Sequence, residues 1–298
     1  MDRPRVAVVK CGTIFAPSGD VNAELLERMY ERGIGLISGE RDRAEGLGRL
    51  FRPGERIGIK INTIAGKRLS TRPDVSLPLA SWLAENGPGQ GDIVIWDRTN
   101  RELREAGYRV STAAGGPKVF GTDTDGVGYG QGLVAYGSMG SLFSAIQHDL
   151  VDATISLAVL KDHGLAGMTG GIKNYFGAIH NPNKCHDNRC DPYAAQVFGT
   201  APIRGKHRLT ILDALTVQYH NGPSYHPRWA ERCGTLVFGL DPVAVDTVGL
   251  KIIEGLRANK GLPSLAEENR APLYLASAEK MGLGVADPGR IEIIEEMV

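Results

Sequence analysis

The chain has 298 residues, enough to bury a large core in one or two domains. Its hydrophobic share of 42% and charged share of 23% are ordinary for a globular protein and argue against disorder. Lysine plus arginine equals aspartate plus glutamate at 34 each, so the composition predicts no nucleic-acid partner. No window reaches the roughly 18 apolar residues needed to cross a bilayer, so we predict a soluble chain without a membrane span.

Apolar, β-branched runs alternate with segments of helical periodicity, a pattern typical of a parallel sheet with crossover helices. In the first half we expect strands over residues 5–9, 56–62 and 92–96 and helices over 22–37, 74–85 and 100–106. Regularity is lost from 111 to 140, and a loop of this length is usually functional or disordered. In the second half we expect helices over 141–150, near 191–197 and from Pro242, and strands over 153–160, 208–212, 235–240 and 290–294.

These elements predict an α/β fold of mostly parallel sheets with crossover helices, in a two-lobed, Rossmann-like architecture. No proline- or serine-rich linker is present, so residues 1–298 are expected to form one unit. Its tentative lobes are an N-terminal lobe, 1–150, and a C-terminal lobe, 151–298. The amino terminus shows no signal-peptide core, which predicts a cytoplasmic protein as given and leaves export after removal of a leader open.

The segment AVLKDHGLAGMTGGIKNYFGAIHNPNKCHDNRCDP (158–192) is the strongest candidate for a functional centre. Its polar start, Lys161-Asp162-His163, directly follows an apolar strand, and ligands of open parallel sheets lie beyond the carboxyl ends of strands. Glycines then free the backbone before a predicted helix start, where amides beside a lysine suit phosphate or carboxylate. The pattern indicates a small anionic ligand; a glycine turn with a surface lysine is the alternative. The expected binding residues here are Lys161, Gly170, Gly171, Lys173 and Asn174.

Several nucleotide and hydrolase signatures are absent from the sequence. The glycine segment is not a Walker loop, and no GxGxxG follows a strand, so neither ATP nor NAD is expected. No GxSxG elbow occurs, which disfavours an α/β-hydrolase.

Cysteine, histidine and aspartate cluster directly downstream, within 180–191. Their side chains are soft and borderline metal ligands, so Cys185, His186 and Cys190 are predicted metal ligands for nickel, iron or zinc. The alternatives are a small disulfide loop between the two cysteines in an exported protein, and a helix cap at Asp191-Pro192.

Three residues outside this segment also carry chemistry. Lys60 and Asn62 end the strand RIGIKIN, and a buried sheet rarely contains a lysine without a partner. Asp246 lies one turn into the helix that follows GLDP, where it is expected to orient a histidine or lysine.

The 158–192 segment, together with RIGIKINT (56–63), DALTVQYHNGP (213–223) and GLDPVAVDTVG (239–249), resembles domain-of-unknown-function family 362. That family's name carries no settled reaction. Some members are exported by the twin-arginine route or associated with ferredoxin-type iron–sulfur modules, which implies a redox partner. The ferredoxin spacing CxxCxxCxxxCP is absent from this chain.

HGLAGMTGGIK (163–173) is similar to the H-x-x-x-G-[FY]-S-G-G-x-K segment of the nickel-pincer lactate racemases. The resemblance implies proton transfer by His163 and a covalently tethered organometallic cofactor on Lys173. STRPDVSLPLASWLAENG (70–87) is similar to the racemase pattern T-R-P followed by an apolar helix, which implies a binding role for Arg72. The second racemase histidine is missing, because the comparable place has Trp96-Asp97-Arg98.

The sequence thus predicts a metal- or metallocofactor-dependent enzyme of isomerase or redox type. It would act on a small anionic molecule, with His163 and Lys173 as catalytic residues. One alternative is a non-catalytic metal or iron–sulfur carrier. A second is a mononuclear metal hydrolase built from His163, His186 and Asp246.

Overall fold

The computed structural model describes residues 3–40, 42–87 and 93–298. Within these ranges one nine-stranded sheet has the order β11-β1-β10-β9-β7-β2-β3-β4, with β8 paired to β7, and β5 and β6 form a separate hairpin. The strands are β1 Arg5–Lys10, β2 Ile57–Lys60, β3 Ile93–Asp97, β4 Lys118–Gly121, β5 Val134–Tyr136, β6 Met139–Ser141, β7 Ala153–His163, β8 Gly167–Thr169, β9 His207–Gln218, β10 Ala230–Gly239 and β11 Glu292–Met297.

Several helices begin where the sequence supplies a capping side chain or a proline. The Asn22 side chain accepts from Leu25 N at the start of α1, and Asp241 caps α7 through the amides of Val243 and Ala244. The helices are α1 Ala23–Ser38, α2 Arg43–Leu50, α3 Pro73–Asn86, α4 Asn100–Glu105, α5 Tyr193–Gly199, α6 Ala201–Arg204, α7 Pro242–Asn259 and α8 Tyr274–Lys280. Most predicted elements are confirmed within a few residues; Asp92, in the predicted third strand, lies outside the described residues.

The sheet is mostly parallel, as the alternation of strands and helices predicts. Adjacent pairs β2–β3, β2–β7, β3–β4, β7–β9 and β1–β11 are parallel, and β1–β10, β9–β10 and β7–β8 are antiparallel. The α/β class is therefore confirmed. β1 does not lie beside β2 but between β10 and β11, so the amino-terminal strand completes the sheet of the second half.

The proposed boundary near residue 150 is not marked by a break in the sheet. β7, which begins at Ala153, pairs on one side with β2 of the first half and on the other with β9 of the second half. The division into lobes 1–150 and 151–298 stays a prediction, because a continuous sheet neither requires nor forbids two lobes.

Three local predictions differ from the structure. The irregular stretch from 111 to 140 contains β4, an edge strand parallel to β3, and the β5–β6 hairpin that begins in it. The predicted helix over 141–150 is a short π-helix, Ile146–Leu150. Lys161-Asp162-His163 does not follow β7 but forms its end, since these residues pair with β8 in a tight antiparallel hairpin.

Buried apolar side chains fill both faces of the sheet. One core lies under α1 and α3, and it contains Ile59 of β2, Leu157 of β7 and Ile211 of β9. On the opposite face, Leu160 and Leu212 pack against α7. A third core contains Trp96 of β3 together with Phe143 and Tyr175. No helix in the described ranges combines the length and the apolar character that crossing a bilayer requires.

Asp246, buried in α7, fixes the glycine loop that precedes Lys173. Its two carboxylate oxygens accept hydrogen bonds from the backbone amides of Gly171 (2.6 Å) and Ile172 (3.1 Å). A Cβ atom at Gly170 would lie 2.4 Å from Asp246 Oδ1, so only glycine fits between the loop and the carboxylate. Burial raises the pKa of Asp246 to about 7. Asp246 therefore contacts the backbone of the loop before Lys173 and not the lysine side chain. Its expected role in orienting a lysine stays a prediction.

Replacing this carboxylate should destabilise the fold. Asp246→Ala leaves two buried amides without acceptors, and we expect the free energy of unfolding to fall by about 2–4 kcal/mol in urea denaturation. Lys251→Ala, at an exposed position of the same helix, is the control and should change it by less than about 0.5 kcal/mol. Equal effects of the two substitutions would contradict the anchoring role.

Candidate functional site

A cavity of about 110 Å³ lies where the parallel strands β2, β3 and β7 end, beside the 3₁₀-helix Lys173–Ala178. The sequence-predicted residues that line it are Lys60, Asn62, Lys161, His163, Lys173, Asn174 and His186. Its wall also includes Ile64, Asp97, Arg98, Glu102, Thr169, Phe176, Gly177, Pro182, Asn183 and Pro223. The structure therefore brings Lys60 and Asn62 together with residues from both halves of the 158–192 segment.

The floor of the cavity is a buried ion pair between Lys60 and Asp97. Lys60 Nζ lies 2.7 Å from Asp97 Oδ1 and also donates to the Ile61 carbonyl (2.6 Å) and to Asn174 Oδ1 (3.3 Å). Asp97 Oδ2 accepts from the amide and the hydroxyl of Thr63, both at 2.7 Å. Every charge of the pair is thus hydrogen-bonded, which is what burial of an ion pair requires.

Lys161 is fully buried and has no carboxylate bonded to it. Its Nζ donates to Asn62 Oδ1 (2.7 Å) and to the Leu69 carbonyl (3.1 Å). An ammonium has three N–H donors, so one is left for a ligand. Burial lowers the pKa of Lys161 to about 7, an effect that Asp97 partly opposes and Lys173 reinforces.

His163 has its protonation fixed by the backbone. Its Nδ1 accepts hydrogen bonds from the amides of Leu165 and Ala166, both at 3.2 Å, so the proton of the neutral ring is on Nε2. Burial lowers the pKa of His163 to about 2, with a further contribution from the charge of Lys173. His163 is therefore a neutral hydrogen-bond donor in this arrangement.

Lys173 and His186 form a second pair on the cavity wall. His186 Nδ1 lies 2.9 Å from the Pro182 carbonyl and must donate to it, which leaves the Nε2 lone pair facing Lys173 Nζ at 3.2 Å. The ring of His186 stacks on that of His163 with centroids 5.6 Å apart. Burial lowers the pKa of Lys173 to about 8, and burial with the nearby Lys173 charge lowers that of His186.

Basic side chains outnumber acidic ones around the cavity. Both carboxylates on its wall are already paired, Asp97 with Lys60 and Glu102 with Arg98 at 3.2 Å. Lys161 and Lys173 line the cavity without an ion-pair partner among the described residues. The wall consequently offers unbalanced positive charge to a ligand.

The predicted metal ligands are not assembled into one group. Cys185 and Cys190 are free, buried thiols that do not line the cavity, whereas His186 does. Burial raises the pKa of Cys185 to about 11 and also raises that of Cys190, whereas a metal binds the thiolate. In the described part of the chain no three His, Cys, Asp or Glu side chains are placed to share a metal ion.

Four other predicted residues also lie away from the cavity lining. Gly170 and Gly171 pack against Asp246, whose oxygens are occupied by backbone amides. Arg72 bonds to Asp74 and the Gly19 carbonyl, in a different cleft. A hydrolase site of His163, His186 and Asp246 is likewise not formed.

Asp97, Arg98 and Glu102 were not predicted as site residues. Asp97 is the last residue of β3, and Arg98 and Glu102 follow it. The carboxyl end of β3 meets those of β2 and β7 at the same edge of the sheet. The rule that located Lys161 and His163 applies equally to Asp97 and Arg98.

Comparison with known proteins identifies the family of the chain. The chain matches the family described as Domain of unknown function (DUF362) over residues 57–251. It is 28% identical over 271 residues to the thylakoid-associated protein sll1697 of Synechocystis sp. (strain ATCC 27184 / PCC 6803 / Kazusa), covering 86% of this chain and 80% of that protein. A solved structure from Thermotoga maritima aligns with a TM-score of 0.46 at 12% identity, over 81% of this chain and 60% of that one. The matched region includes every residue of the cavity wall, and the chain belongs to the DUF362 family.

Proposed function

We propose that this protein is an enzyme that binds a small anionic substrate in the cavity and moves a proton on it. The observation that carries the proposal is the convergence of Lys161, Lys173 and the stacked His163–His186 rings on one cavity whose carboxylates are already paired. A cavity of about 110 Å³ suits a molecule of a few heavy atoms, since pockets for drug-sized ligands have roughly 300–1,000 Å³.

The binding role falls to Lys161. Its third N–H and its charge are available to a carboxylate or phosphate, and low solvent access strengthens such a contact. Lys60 is held by Asp97 and Asn174 and stabilises the cavity floor instead.

The proton-transfer role falls to Lys173 and His163. With a pKa of about 8, Lys173 is present in both its charged and its neutral form near neutral pH, and in the charged form it donates a hydrogen bond to His186 Nε2. The neutral amine of Lys173 would take the proton from a C–H bond of the substrate, and the Nε2–H of neutral His163 would donate a hydrogen bond to the neighbouring oxygen that gains negative charge. This arrangement supports isomerisation-type chemistry more directly than redox chemistry.

Metal or cofactor dependence stays a prediction. Lys173 faces the cavity with a lowered pKa, a property that a covalent tether needs. The cavity volume, however, does not hold both a nucleotide-sized group and a substrate, so we derive no step through such a group. An added mass on Lys173, lost in Lys173→Met, together with bound nickel in protein from its native host, would favour the tethered-cofactor candidate.

Anion binding is tested with pyruvate by calorimetry. Lys161→Met removes one buried charge from the cavity, and we expect pyruvate affinity to fall about tenfold or more. Lys251→Met makes the same change at an exposed site and should leave the affinity within about twofold. Equal affinities of the two variants would contradict the assignment of Lys161.

Binding should also take up protons. In the protein without a ligand, burial lowers the pKa of Lys161 to about 7. A bound anion favours the charged form of the lysine, so this pKa rises on binding. Affinity should therefore fall as the pH rises above about 7, and calorimetry in buffers of different ionisation enthalpy should show proton uptake. The uptake should shrink in Lys161→Met, and an uptake unchanged by this substitution would assign it elsewhere.

Proton transfer is tested by exchange in D₂O. We expect the protein to catalyse the exchange of a carbon-bound hydrogen for deuterium in at least one small 2-hydroxy or 2-oxo acid. His163→Gln should slow that exchange by about 100-fold or more and change the affinity by less than about threefold. Exchange at the wild-type rate in His163→Gln, monitored by proton NMR, would exclude His163 from the reaction.

A further inference from the structure

A second, larger cleft lies beside β7 and β9. It has a volume of about 930 Å³ and shares no lining residue with the cavity described above. We call it the Asp213 cleft, and the lining residues that matter below are Lys67, Arg68, Ser70, Asp213, Tyr225 and Arg232.

Asp213 is an unusual residue at its position. It lies in the middle of β9, between Ile211 and Leu215 of the apolar core under α1 and α3, and is only 4% exposed. Its carboxylate accepts one hydrogen bond, from the Leu215 amide to Oδ1 at 3.1 Å, and it has no ion pair within the described ranges. Burial raises the pKa of Asp213 to about 6. A carboxyl in an apolar layer is costly unless it is hydrogen-bonded.

Ser70 provides a buried hydroxyl without a partner in the same cleft. It is 4% exposed, and its hydroxyl has no hydrogen-bond partner in the described part of the protein. Buried hydroxyls nearly always have such a partner. Ser70 and Asp213 together therefore offer one hydroxyl and one carboxylate to a ligand that carries hydrogen-bond donors.

Basic side chains held over aromatic rings complete the cleft. The guanidinium of Arg232 lies 4.8 Å from the centre of the Phe15 ring, and that of Arg68 lies 5.6 Å from the centre of the Tyr225 ring. Stacking orients a guanidinium and leaves its edge free for an anion. Both arginines and Lys67 are exposed, so the positive charge is at the surface and the carboxyl of Asp213 is inside.

We propose that the Asp213 cleft binds a phosphorylated polyol, such as a sugar phosphate. Its phosphate would lie against Arg68 and Arg232, because planar guanidinium groups match phosphate oxygens. Its hydroxyls would donate to Asp213 and bond to Ser70. A polyol without a phosphate cannot contact the two arginines in this way. A phosphate without hydroxyls cannot bond to Asp213 and Ser70.

The cleft also adjoins the first site through one shared wall. Leu69 lines the cleft, and its carbonyl accepts the hydrogen bond from Lys161 Nζ. An occupant of the cleft therefore contacts the segment that positions a lysine of the cavity.

The test is calorimetric titration with ribose 5-phosphate and with ribose. We expect ribose 5-phosphate to bind at least about tenfold more tightly than ribose. Asp213→Asn, nearly identical in shape, should weaken ribose 5-phosphate binding about fivefold or more. Arg232→Ala, at an exposed position where folding is not at risk, should weaken it similarly.

Competition with pyruvate separates this proposal from the proposed function of the cavity. Saturating pyruvate should leave the affinity for ribose 5-phosphate within about twofold of its value without pyruvate. The cleft proposal is overturned if ribose 5-phosphate does not bind, if it binds no better than ribose, or if Asp213→Asn and Arg232→Ala have no effect. Displacement of ribose 5-phosphate by pyruvate would place the ligand in the cavity instead.

Discussion

Lysine ammonium groups buried at the end of a β-sheet are the constraint on which this structure depends. A buried charge needs hydrogen-bond partners, and the chain supplies them to Lys60 and Lys161 in different ways. Lys60 has Asp97 and Asn174, which join β2, β3 and the 3₁₀-helix after the glycine loop. Lys161 has only neutral oxygens, from Asn62 and Leu69. The first lysine is therefore a structural tie, and the second keeps an unbalanced charge for a ligand.

The same burial determines the protonation of the neighbouring groups. His163 is held neutral by two backbone amides on Nδ1 and by the positive charges around it. His186 is held in the opposite tautomer by the Pro182 carbonyl, so its lone pair faces Lys173. Two stacked imidazoles thus present different groups, one N–H donor and one acceptor site. The two tautomers differ because the backbone contacts differ. The sequence shows only that both residues are histidines.

The sequence predicted the position of the site better than it predicted which residues line it. Alternating strands and helices identified the edge of the sheet where Lys60, Lys161 and His163 meet. The sequence spacing of Cys185, His186 and Cys190 suggested a metal group, but the backbone is left-handed at Asn188, Arg189 and Cys190, and both thiols are buried away from the cavity. The insertion of β1 between β10 and β11 could not be predicted either, because it depends on long-range pairing that local periodicity does not encode.

The most direct test of these conclusions is nitrogen NMR of the imidazole rings between about pH 5 and pH 8, with His163→Gln and His186→Gln used for assignment. We predict that His163 stays neutral over this range with its proton on Nε2, and that the proton of neutral His186 is on Nδ1. Pyruvate should shift both sets of signals. A His163 ring that titrates near its ordinary pKa of about 6.5, or signals that do not respond to pyruvate, would contradict the account of a cationic cavity built for a small anion.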